Sequence, residues 1–174
     1  MISNASPLIT IAKIGLLKEL LQIYSLIEIS PQVFKEIIEN GIKNNKTDAL
    51  LLNGLYKDNK IKIVFFDKKY SKLSKLLVKK YNIDLGEAET IVLAMQLKNE
   101  YILIDESLGR NTAKLLGIKT KGTLRFLLEL YQAGIINKIR IKSLVEELLG
   151  KNFRLDIEVL AKFWELFESM KKRK

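Results

Sequence analysis

Apolar positions along the chain switch repeatedly between short continuous runs and helical spacing. The runs Leu26 to Ile29, Ile61 to Phe66 and Tyr101 to Ile104 have the length and density of strands covered on both faces. Between them, apolar residues at helical spacing predict helices over Leu8 to Leu21, with Gly15 inside it, Thr47 to Tyr56, Tyr70 to Tyr81, Gly86 to Lys98, Leu108 to Leu116 and Thr123 to Ala133. Ser30 suits an N-cap and Pro31 a first helical position, where a missing N–H is harmless. The helix they start carries Glu36 in its second turn, and Asn40-Gly41 is expected to close it. A short strand opens the chain before a turn at Pro7, and Ile118 to Lys121 suits an edge strand after Gly117. Beyond Gly134 the pattern is helical alone, over Ile141 to Leu149 and Ile157 to Met170. The expectation is an α/β domain with a mostly parallel central sheet over residues 1–134, and residues 135–174 as a helical extension packed on the same domain. Phe153, Phe163, Trp164 and Phe167 concentrate aromatic surface in that extension, where packing onto the main core is favoured over a partner-binding face. Lys171 to Arg173 and Lys174 form a basic end expected to be solvated.

Composition narrows the chemistry. Of 174 residues, none is His or Cys, which excludes disulfides, thiolate nucleophiles, imidazole acid-base catalysis and the usual zinc ligands. Hydrolysis would have to run on carboxylates, which are ligands for hard divalent cations. Thirty Lys plus Arg against twenty Asp plus Glu give a net charge of +10, which favours an anionic partner, although such an excess can also serve solubility alone. The apolar runs are too short to span a bilayer, and Met1-Ile2 leads straight into polar Ser3-Asn4, so a soluble cytoplasmic protein without a membrane role is expected. Neither a P-loop nor a dinucleotide fingerprint is present, which disfavours an α/β nucleotide binder.

Parallel sheets place ligand sites beyond the C-terminal ends of their strands, where Asn4 and Asp105 fall. An acid in that position is commonly only a helix cap, and Ser107 competes for that role beside Asp105. Glu87, at a helix start, is already favoured by the helix dipole. Glu89 lies about 200° further round the same helix, so only one of the two can face a given site. Glu87, with Ala94 seven residues on along nearly the same face, is the one expected at the rim.

Four segments in order carry a more specific signal: Asn4-Ala5-Ser6-Pro7-Leu8-Ile9, Glu36 after Pro31-Gln32-Val33, Glu87 before Ala94, and Asp105 closing an apolar strand. Leu85-Gly86-Glu87-Ala88-Glu89, Ile104-Asp105-Glu106, Arg110 and Gly122-Thr123-Leu124 extend the set. Together they resemble the PIN-domain nucleases, and within them a largely uncharacterised toxin-like subfamily, over roughly the first 170 residues. The resemblance implies a three-layer fold around a parallel sheet of about five strands. It implies an endoribonuclease, often the toxin of a toxin-antitoxin pair, using one or two Mg²⁺ or Mn²⁺ ions. Asn4, Glu36, Glu87 and Asp105 would be the metal ligands and catalytic residues, with Ser6 hydrogen-bonding the first ligand and Arg110 or Thr123 contacting phosphate. RNA, an acidic antitoxin protein and a second copy in a homodimer would be the partners.

Asn4 stands where the family pattern has Asp, which removes one negative charge from the metal cage. At about 4 Å and an effective dielectric near 20, one unit-charge pair is worth around 4 kcal/mol before desolvation. The amide oxygen can still ligate. Glu106 has the charge to compensate, but on a regular strand it would point away from Asp105's side. A non-catalytic module that binds nucleic acid or an antitoxin peptide is therefore the competing expectation.

Overall fold

The computed structural model describes residues 1–150 and 157–170. Phe153 and the basic end at 171–174 lie outside the described residues. Five short strands, β1 (Ile2–Ser3), β2 (Ile27–Ile29), β3 (Ile61–Ile63), β4 (Tyr101–Leu103) and β5 (Lys119–Lys121), form one all-parallel sheet in the order β3-β2-β1-β4-β5. The chain winds outward from β1 to β3, then returns to the other side of β1 for β4 and β5. The switch point therefore lies between β1 and β4, with Ile2 opposite Ile102 and Ser3 opposite Leu103. This is the parallel α/β architecture expected from the sequence.

Helices cover both faces, giving three layers. Ile27, Ile29 and Leu103 face a core shared with α1 (Ala5–Lys13), α2 (Leu17–Ile23), α5 (Thr47–Lys57) and α9 (Thr123–Gln132). Ile2, Ile102 and Ile104 face the other core, built with α6 (Lys68–Tyr81), α7 (Leu85–Leu97) and α8 (Ser107–Leu115). α10 (Lys138–Gly150) and α11 (Ile157–Ser169) add Ile141, Leu144, Leu148, Phe163 and Phe167 to the first core. The Phe167 ring lies against Tyr131, with centroids 4.8 Å apart, so much of the aromatic surface of the extension is turned inward.

Three of the helix boundaries that differ from the sequence expectation have an identifiable cause. Ala5 starts α1 ahead of Pro7, which is harmless in a first turn because the N–H it lacks has no intrahelical partner. At the other end Gly15 adopts φ +70°, so the expected single helix splits into α1 and α2. The helix begun at Ser30 does not close at Asn40-Gly41. α3 (Pro31–Phe34) runs through a π-helical turn (Lys35–Glu39) into α4 (Asn40–Lys43). Gly41 is there for packing, since a Cβ on it would come within 2.4 Å of Ala49 Cβ on α5.

Candidate active site

Asn4 follows β1 directly and Asp105 follows β4 by two residues, so the switch point sets them side by side at the C-terminal edge of the sheet. A cleft of about 1280 Å³ opens there. Asn4, Glu36, Asp84, Asp105 and Glu106 line one part of it, and Lys13, Arg110, Lys114, Arg125 and Lys162 line another. The cleft is thus acidic at the sheet edge and cationic toward α8, α9 and α11.

Asn4 occupies the N-cap position of α1 yet makes no side-chain cap. Its Nδ2 donates to Glu106 Oε2 over 3.2 Å, and its Oδ1 is buried without a partner. Forgoing a cap costs about 1 kcal/mol, and an orphaned buried acceptor about 1–3 kcal/mol. The two are one missing bond, since Oδ1 is the capping atom, and leaving it unmade on a buried side chain points to a ligand rather than to folding. Gly86, in the first turn of α7, supplies the space in front of it. A Cβ on Gly86 would stand 3.1 Å from both Glu36 carboxylate oxygens and 3.3 Å from Asn4 Oδ1. Asn4 and Glu36 therefore approach the same space in front of Gly86, which a side chain there would crowd.

Glu36 is set by the capped helix start, where Ser30 Oγ accepts from the Val33 N–H at 3.1 Å. It lies in the π-helical turn, a feature that often marks functional sites. Gln32 Nε2 donates to its Oε1 at 2.7 Å. Burial first, then the neighbouring carboxylates Asp84, Glu89 and Glu106, hold its carboxyl above the usual range. Asp105 is fixed by the start of α9, accepting the Thr123 N–H at 2.7 Å and the Thr123 hydroxyl at 2.6 Å. Its carboxyl is also raised, chiefly by burial, against the pull of those bonds and of Arg110.

Glu87 lies behind the cleft rather than on its rim. Only 4% exposed, it accepts the Asp84 N–H at 2.9 Å and the Gly109 N–H, closing a capping box in which Asp84 accepts the Glu87 N–H at 2.6 Å. Burial pushes its carboxyl up to about 7. Gly109 makes room for it, since a Cβ there would come within 2.7 Å of Glu87 Oε1. Glu89 turns to the start of α3 and accepts the Gln32 N–H at 3.0 Å.

The supporting residues sort differently from the sequence expectation. Ser6 lines the cleft but does not bond the Asn4 side chain, whose one donor group is on Glu106 and whose oxygen is unpartnered. Thr123 is fully buried with both donors on Asp105, which leaves neither for a phosphate. Arg110 lines the cleft beside Asp105. Glu106 does not point away as a regular strand would have it, because β4 ends at Leu103 and the chain turns into α8 with Glu106 at the cap position, which brings its carboxylate onto Asn4. Asp84 and Glu106 are the cleft acids that sequence reasoning left out of the ligand set, and the capping-box spacing of Asp84 and Glu87 was the available signal for the first.

All these donors are hard oxygens, and the unpartnered Oδ1 beside Glu36 fits a divalent cation. Among the described residues no group of three acids is gathered to hold an ion without help, so the amide of Asn4 would have to take part. A family model described as a PIN domain matches residues 1–169. No curated protein matches the chain.

Proposed function

The chain belongs to the PIN-domain family, whose members generally depend on divalent metal, and from that premise we propose that it is a metal-dependent endoribonuclease. The observation that supports this most is the buried, unpartnered Asn4 Oδ1 facing Glu36 at the acidic end of a cleft whose other end is cationic. Asn4 and Glu36 would hold Mg²⁺ or Mn²⁺ from one side, and Asp105 and Asp84 from neighbouring parts of the rim. A metal bound there would supply an activated water and charge stabilisation at the leaving oxygen of a phosphodiester. Glu87 contributes from behind by fixing the Asp84 backbone. Arg110 and Lys114 would bind the RNA phosphates and orient the scissile one toward the acids.

The second reading is a PIN module that binds RNA or an antitoxin peptide without cleaving it. It draws on the amide at position 4 and on the lack of a three-acid group among the described residues. A toxin role with an acidic antitoxin is consistent with the +10 charge, and both it and a homodimer belong to the same proposal. Cleavage of a mixed-sequence RNA in Mn²⁺ and in EDTA, by the wild type, Glu36→Gln and Asp105→Asn, separates the two readings. The enzyme reading expects Mn²⁺-dependent cleavage reduced about a hundredfold or more by either substitution. Binding of RNA with no cleavage at any Mn²⁺ concentration would leave the module.

A further inference from the structure

Asn is among the preferred N-cap residues, so an Asn at a cap position that does not cap is being held elsewhere. The holder is Glu106, which receives the Nδ2 hydrogen at 3.2 Å. An amide has two unlike ends, and a carboxylate can accept only from the NH₂ end. Glu106 therefore decides which way the amide faces, and it leaves Oδ1 turned to the gap in front of Gly86 and Glu36. Asn4 is 3% exposed, so the unpartnered oxygen has no bulk water to serve it.

We infer that Asn4 and Glu106 act as one unit in place of the missing carboxylate. The amide oxygen is the ligand, and Glu106 is a positioning residue that carries the charge one hydrogen bond behind it. The inference rests on the metal-binding reading above, and it reverses the expectation drawn from Asn4 alone. Restoring an acid at position 4 does not repair this site. It removes the donor and sets two carboxylates against each other where a hydrogen bond now stands. Exchanging the two chemistries, with the acid moved to position 4 and the amide to position 106, keeps one charge, one amide and one hydrogen bond.

The test uses the full chain as wild type, Asn4→Asp, Glu106→Gln and the double variant Asn4→Asp/Glu106→Gln. Mn²⁺ affinity is measured by calorimetry, and the thermal midpoint is measured in EDTA. Glu106→Gln is expected to keep its midpoint close to wild type while its Mn²⁺ Kd rises about tenfold or more. Asn4→Asp is expected to melt below the wild type in EDTA, and the double variant to regain both the midpoint and the Mn²⁺ affinity. Mn²⁺ binding that is indifferent to Glu106→Gln, an Asn4→Asp protein as stable as wild type, or a double variant no better than Glu106→Gln would each overturn the inference. If Glu106→Gln does not fold, the double variant decides, since it retains the bond, and its failure to fold also overturns the pairing. No Mn²⁺ uptake by the wild type sinks the metal reading and this inference together, whereas uptake that ignores Glu106 sinks this inference alone.

Discussion

Glu87 carries the clearest consequence at the scale of a residue. Its carboxyl titrates near 7 in the folded protein against an ordinary value of 4.5, so the folded state holds the proton more tightly than the unfolded state. The stability this contributes is fully present below about pH 4.5 and is lost as pH rises through 7. That amounts to as much as about 3 kcal/mol between the two limits. Glu87→Gln keeps the shape and one acceptor oxygen but not the charge, so its stability relative to the wild type in EDTA is expected to rise between pH 4.5 and pH 8. Parallel denaturation curves at the two pH values check this, and equal differences at both would contradict it. Gly86→Ala tests the gap itself. Its methyl would meet Glu36 and Asn4 oxygens at 3.1 and 3.3 Å, tight contacts that side-chain movement can relieve without unfolding the domain. The expected outcome is a folded protein by circular dichroism with cleavage reduced about a hundredfold.

Elements were legible wherever period and punctuation agreed, and less so where tertiary contact chose between local options. Ser30-Pro31 announced its helix because a capping hydroxyl and a fixed φ act locally, and Ser30 Oγ does take the Val33 N–H. Ser30→Ala should cost about 1 kcal/mol in urea denaturation, and a change under a few tenths would mean the cap does not set this helix. Nothing local decides between the roles open to Gly15 and Gly41. A glycine can end a helix through positive φ or admit a neighbouring helix through its missing Cβ, and which one applies depends on partners distant in sequence. Gly15 took the first role and Gly41, against Ala49, the second. The candidate site follows the same division. Asn4 and Asp105 could be placed from strand ends and Glu36 was named by the family resemblance, whereas the contact from Glu106 depended on β4 stopping at Leu103, which no spacing in the sequence states.

At the scale of the whole molecule, the order β3-β2-β1-β4-β5 is what brings Asn4 and Asp105 to one cleft, because the turn of chain direction at β1 sets the ends of β1 and β4 next to each other. The cationic side of the cleft would then give RNA an electrostatic path toward the acids there. RNA affinity should fall with added salt, and Lys114→Ala should weaken binding while lowering the slope of log affinity against log salt by about 0.7, the share of one phosphate contact. An unchanged slope would remove Lys114 from the RNA path. All of this depends on a divalent cation entering at the switch point. A crystal grown with Mn²⁺ and measured at a wavelength where manganese scatters anomalously tests that most directly. An anomalous peak is expected between Asn4 Oδ1 and the Glu36 carboxylate, and a crystal at saturating Mn²⁺ with no peak there, or with manganese only elsewhere on the surface, would contradict metal binding at this site.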